Sequence, residues 1–158
     1  MPRPERPDFD PSYGIPETPP ERAHWPAVEE KLAASRNYWI CTTRSDGRPH
    51  AKPVWAFWTD GALWFGSGAA SVTGRNLARD PRVSAHLESG DDTVILEGAV
   101  EVVAAEHLAP ALLEAYGAKY QMKPEDLADA PWFRFAPSLA FTWLEQDYPA
   151  TATRWRFD

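Results

Sequence analysis

Over most of its middle and end, the chain alternates apolar and polar residues with a period of two. This pattern predicts strands at Tyr38 to Thr43, Ala51 to Thr59, Ala62 to Ser67, Arg82 to Ser89, Thr93 to Ala105, Leu139 to Leu144 and Thr151 to Phe157. Asp60-Gly61 lies between two of them and favours the positive-φ pair of a tight hairpin. Pro53 has no amide to donate, so its strand belongs at an edge or a bulge. Helical spacing is confined to three places. After Pro26, the apolar positions Val28, Leu32 and Ala33 predict a helix over 27–36. Ser71 can cap a short helix that ends near Arg79, before Asp80-Pro81. Leu108, Leu112, Leu113, Ala115 and Tyr116 give the apolar stripe of a third helix over 106–120. Residues 123–136 read as a loop with at most one helical turn, and the proline-rich residues 1–26 as an extended arm without regular structure. The expected architecture is a mainly β domain over 27–158, a six- to seven-stranded antiparallel barrel with peripheral helices.

Composition narrows the function classes. The 158 residues, 44% hydrophobic and 13% aromatic, suit one domain. No apolar run approaches the roughly 20 residues of a membrane span, and the first residues lack the apolar centre of a secretory signal, so a cytoplasmic protein without a membrane partner is expected. Cys41 has no partner for an intramolecular disulfide and reads as a buried, inert thiol. The net charge of −7 argues against nucleic acid as a partner. The charge is nevertheless uneven: residues 36–82 hold seven Lys/Arg against three Asp/Glu, which suggests a small anionic ligand bound locally. The eight tryptophans are spread over strands and loops, as core or interface packing would require. His24, His50, His86 and His107 show no metal-ligand spacing, and no nucleophile elbow, phosphate loop or dinucleotide fingerprint occurs.

One segment is organised for an anion. From Ser67 to Asn76 a strand passes through glycine and small residues into a helix N-terminus, where unpaired amides and the positive end of the helix dipole can hold a phosphate. Ser67, Ser71 and Thr73 can add hydroxyls.

Between Tyr38 and Val103, the stretches ICTTRSDGRPHAKPVW, DGALWFGSG, GRNLARDPRVSAH and GDDTVILEGAVEVV, with the ending ATRWRF, resemble the pyridoxamine 5'-phosphate oxidase-like FMN-binding split-barrel superfamily. Within it they resemble the actinobacterial flavin/deazaflavin oxidoreductase branch. The resemblance implies a homodimeric split β-barrel with cofactor clefts at the subunit interface, binding FMN or the deazaflavin coenzyme F420 and passing a hydride to or from a small organic substrate. It places His50, Lys52, Pro53, Val54 and Trp55 along the cofactor ring, and Ser67, Gly68, Ser71, Thr73, Arg75 and Asn76 around its phosphate. Trp55, Trp58, Arg154 and Trp155 are candidates to shape the substrate pocket. Arg154 and Arg156 should share one strand face, with Trp155 on the other. One departure stands out. The family pattern Ser-Arg-Lys-Ala-Arg-Asn-Leu is replaced by Ser71-Val72-Thr73-Gly74-Arg75-Asn76-Leu77, which removes two cations from the phosphate turn. The alternative to an oxidoreductase is therefore a non-catalytic cofactor- or ligand-binding barrel with a degenerate phosphate site.

Overall fold

The computed structural model describes residues 1–127 and 131–157. Among them, nine strands form one antiparallel sheet: β1 (Arg3–Glu5), β2 (Asn37–Thr43), β3 (Pro49–Trp55), β4 (Phe57–Thr59), β5 (Ala62–Gly66), β6 (Arg82–His86), β7 (Asp92–Val103), β8 (Trp132–Leu144) and β9 (Thr153–Arg156). The helices are α1 (Trp25–Ala34), α2 (Val72–Arg79), α3 (Pro110–Tyr120) and the single turn α4 (Tyr148–Thr151). None is long and apolar enough to cross a membrane.

The sheet runs β1-β9-β8-β7-β6-β2-β3, with β4 and β5 attached to the other part of β8. The long strand β8 explains how the sheet curls. One of its edges follows β7 throughout, while the other pairs first with β5, from Trp132 to Phe135, and then with β9, from Leu139 to Thr142. Between these halves Pro137 stands opposite Gly98, where the register shifts. A proline removes a ladder bond and a bulge turns the strand, so β8 can serve two sheet directions. The result is a mainly β antiparallel fold in keeping with a split barrel.

The enclosed face is apolar. Ile40, Ala56, Leu63, Phe65 and Phe135 are fully buried, and Trp25, Val28 and Leu32 of α1 cover one end. Complete burial of the larger of these side chains, Ile40, Leu63, Phe65 and Phe135, stabilises by roughly 1.5–3 kcal/mol each. A second cluster joins Leu112, Tyr116 and Tyr120 of α3 to Leu127 and Trp132.

Several expected boundaries move. The strand over 51–59 is two strands, because Ala56 leaves the ladder between β3 and β4. The strands expected over 82–89 and 93–105 close earlier, at His86 and Val103. The helix over 106–120 begins only at Pro110, behind a separate 3-10 turn at Ala105–His107. The loop over 123–136 already contains the start of β8, in which Phe133, Phe135 and Pro137 are buried on one face while Arg134 and Ala136 face outward, and Pro131 and Pro137 in the sequence mask that alternation. Among the described residues the strand count is therefore nine, not six or seven. The arm is also structured. β1 pairs with β9, Glu5 bridges Arg154 and Arg156, and Phe9 stacks on Phe141 and Tyr148. Both arginines thus share a face while Trp155 is buried on the other, as strand alternation requires. Two further expectations hold: β3, with Pro53, is an edge strand, and Asp60 and Gly61 both take positive φ (50° and 69°) in the β4–β5 hairpin.

Candidate cofactor-binding site

A cavity of about 520 Å³ opens where β3 and the end of β5 face each other without pairing. Lys52, Pro53, Val54 and Trp55 of β3 form one wall, Gly66, Ser67 and Gly68 a second, and Tyr116, Asp126, Leu127 and Trp132 a third. Its size lies within the usual range of small-ligand sites, roughly 300–1,000 Å³.

The aromatic wall is held by the break at Ala56. Because that residue leaves the ladder, its buried amide and carbonyl need other partners. The Tyr120 hydroxyl supplies them, accepting from the Ala56 amide at 2.9 Å and lying 2.7 Å from the carbonyls of Ala56 and Arg36. Lys119 donates to the Ala56 carbonyl at 3.1 Å, the Ala33 carbonyl at 3.2 Å and the Tyr38 hydroxyl at 2.9 Å. Burial, and secondarily the Arg36 charge, lower the pKa of this lysine to about 8. Tyr116 donates to the Trp55 carbonyl at 3.2 Å. The Trp55 ring lies flat on Tyr120, with centroids 4.8 Å apart and planes 10° apart, and Tyr116 meets Trp132 edge-on at 4.9 Å. Arg36 covers the Trp55 ring at 5.4 Å. α3 is thereby bonded to the cavity wall, not merely packed beside it.

The turn from Ser67 to Asn76 is built differently, because its polar groups bind one another. The Ser71 hydroxyl accepts from the Gly74 amide at 2.9 Å, capping α2, and lies 2.9 Å from the Ser67 hydroxyl. The Ser71 amide donates to the Gly68 carbonyl at 2.9 Å, and the Arg75 guanidinium turns back to the Ala70 carbonyl. Thr73 and Asn76 are buried and face inward. Asn76 donates to the Thr42 hydroxyl at 3.0 Å, and Thr73 meets His50 Nε2 at 3.4 Å. Arg44 lies 3.2 Å from His50 Nδ1 and can only donate, which assigns that nitrogen as acceptor and Nε2–H as the donor toward Thr73. Burial, then the charges of Arg44 and Lys52, lower the His50 pKa.

Of the candidate residues, Lys52, Pro53, Val54, Trp55, Ser67 and Gly68 meet at the cavity, whereas His50, Ser71, Thr73, Arg75 and Asn76 do not line it. Trp58 and Trp155 are core residues packed on Trp25, and Arg154 pairs with Glu5, so none of the three shapes this cavity. Asn37, Tyr116, Met122, Asp126, Leu127 and Trp132 line it without having been singled out. Tyr116 carried a signal, as part of a helix stripe, but its partners across the sheet could not be read from spacing. The ring wall suits a planar aromatic ligand. The turn, with its Gly74 amide and its polar side chains already bonded within the protein, fits a phosphate less well.

The family model described as pyridoxamine 5'-phosphate oxidase matches residues 25–144, and the chain belongs to that family. No curated protein matches it. Among solved structures, a conserved hypothetical protein from Mycobacterium tuberculosis is similar at 25% identity, covering 77% of this chain and 85% of that one, with a TM-score of 0.66. An F420 reductase is similar at 22% identity, with 70% and 94% covered and a TM-score of 0.58. HutZ, the heme storage protein of Vibrio cholerae, shares 16% identity over 71% and 88% of the two chains, with a TM-score of 0.59.

Proposed function

We propose that the cavity binds the ring of a flavin or deazaflavin, FMN or coenzyme F420, and that the protein works as an oxidoreductase on a small organic substrate. One observation carries this reading. Lys52 to Trp55 and Ser67-Gly68, separated in sequence, border the same aromatic-walled cavity. When bound, such a cofactor supplies the hydride chemistry; the chain orients the ring and excludes water. Lys52 is the one cation lining the cavity among the described residues and suits a ligand of negative charge. Similarity to an F420 reductase supports the deazaflavin.

The proposal includes a homodimer. Trp55 is 40% exposed, and Pro53, Trp39 and Cys41 share its sheet face, an apolar surface suited to a second copy. Light scattering at micromolar concentration should give twice the 17.7 kDa chain mass; a monomer overturns this part. For the cofactor, protein purified from a host that makes both should release a yellow flavin or a deazaflavin on denaturation. The self-engaged turn favours a second reading, a non-catalytic ligand-binding barrel. Release of a chromophore that never turns over with added reductant or oxidant would support that reading instead.

A further inference from the structure

We infer that this site recognises the ring of its ligand and is indifferent to a phosphate on the ligand's tail. The inference rests on the ring-binding reading above and deepens it by naming the ligand class. Its basis is the fit of Gly68 over the first turn of α2. A Cβ placed on Gly74 would fall on the Gly68 carbonyl oxygen, closer than atoms approach, and would lie 3.1 Å from Ala69 Cα. The backbone therefore packs directly onto the flank of the first helical turn and puts a carbonyl oxygen, which repels an anion, beside Gly74. The same carbonyl accepts from the Ser71 amide, and Ser71 Oγ accepts from the Gly74 amide. The Gly74 amide is thus taken by the chain's own oxygen.

The side chains that would complete a phosphate site are turned elsewhere. Asn76 holds Thr42 across the core, Thr73 faces His50, and Arg75 returns to the Ala70 carbonyl. At Val72 and Thr73 the chain offers no cation. A phosphate at this turn would find the Gly74 amide already held by Ser71, a carbonyl oxygen beside it and no cation at positions 72 and 73 to offset that charge. The ring wall requires no such rearrangement: Trp55, Tyr116 and Trp132 are already fixed by α3. A planar heteroaromatic ring with an uncharged polyol tail should therefore bind as well as its phosphorylated form.

Riboflavin and FMN share one ring and differ only in the phosphate, so they serve as the probes. Fluorescence titration of the full chain should give dissociation constants within about threefold of each other, and 10 mM inorganic phosphate should leave both unchanged. FMN binding tenfold or more tighter than riboflavin, or loss of FMN affinity in phosphate, overturns the inference while leaving the ring-binding reading intact. If neither flavin binds, ring recognition itself is refuted for flavins. A parallel titration with coenzyme F420 then shows whether the wider reading fails as well.

Discussion

The two sides of the cavity dispose of their polar groups in opposite ways. On the ring side, a break in the sheet at Ala56 frees backbone groups, and Tyr120 and Lys119 reach across from α3 to take them up. The bonds run between elements distant in sequence, and the cavity is left open between them. On the turn side, Ser67, Ser71, Gly68 and Gly74 bond to one another within eight residues, and a carbonyl oxygen packs against Gly74. Polar residues near a cleft thus indicate a binding surface only where their bonding leaves capacity toward the cleft. Long-range bonding builds a wall, and short-range bonding closes a turn.

The strongest test of the contrast is Thr73→Lys, which restores a family cation. Thr73 is 1% exposed and packed between His50 and the core, so a lysine there must bury its charge or unpack the turn. We expect destabilisation of about 3–5 kcal/mol, as for an uncompensated buried charge. A denaturation midpoint matching the parent would show that position 73 can face solvent and that the turn opens readily.

On the opposite side, Tyr120→Phe removes one hydroxyl and leaves the fully buried Ala56 amide without its partner. The expected loss is about 1–3 kcal/mol of stability, the penalty for an unsatisfied buried donor. Urea unfolding measures it directly. An unchanged stability would mean that the ring wall is packed but not bonded, which erases the distinction drawn above.

How much of this was legible in the residues varies with the range of the interactions. Asp60-Gly61 and Pro53 announced a hairpin and an edge because backbone geometry acts within two or three residues. The strand starting at Trp132 was hidden, since Pro131 and Pro137 bracket its short alternation of Phe133 and Phe135 with Arg134 and read as loop residues. β1 was hidden for a different reason. Its pairing with β9 joins opposite ends of the chain, and the Glu5 bridges to Arg154 and Arg156 leave no local trace. At the site, the resemblance located the two segments that meet at the cavity, but not the α3 residues that complete it. It also placed Thr73 and Asn76 around a ligand, whereas the fold turns them inward. A motif can carry position along the chain while the bonding that decides each side chain's direction depends on neighbours far away in sequence.

Lys52→Ala probes the remaining charge on the ring side. Lys52 lines the cavity from an exposed edge strand, so solvent screens it, and an exposed charged contact contributes about 0.2–1 kcal/mol. Affinity for FMN and for riboflavin should each fall by no more than about fivefold. A much larger loss for FMN alone would move the phosphate onto Lys52 and away from the turn.

The smallest effect is expected from Val72→Arg. Val72 is the first residue of α2 and is half-buried, so an arginine there can extend into solvent near the helix start without displacing core atoms, unlike a lysine at Thr73. Such a cation would draw a phosphate toward the turn, and the helix dipole would add to the attraction. The Gly68 carbonyl still lies beside Gly74, however, and Ser71 still holds the Gly74 amide, so the arginine adds an exposed charge without adding a backbone donor. The gain should be that of an exposed pair, about threefold for FMN and none for riboflavin, fading as salt is raised. Isothermal titration of both flavins at two salt concentrations tests this. A gain of a hundredfold for FMN would show that the missing cation alone, and not the closed backbone, keeps phosphate from the turn, and the contrast between the two sides would then rest on charge instead of geometry.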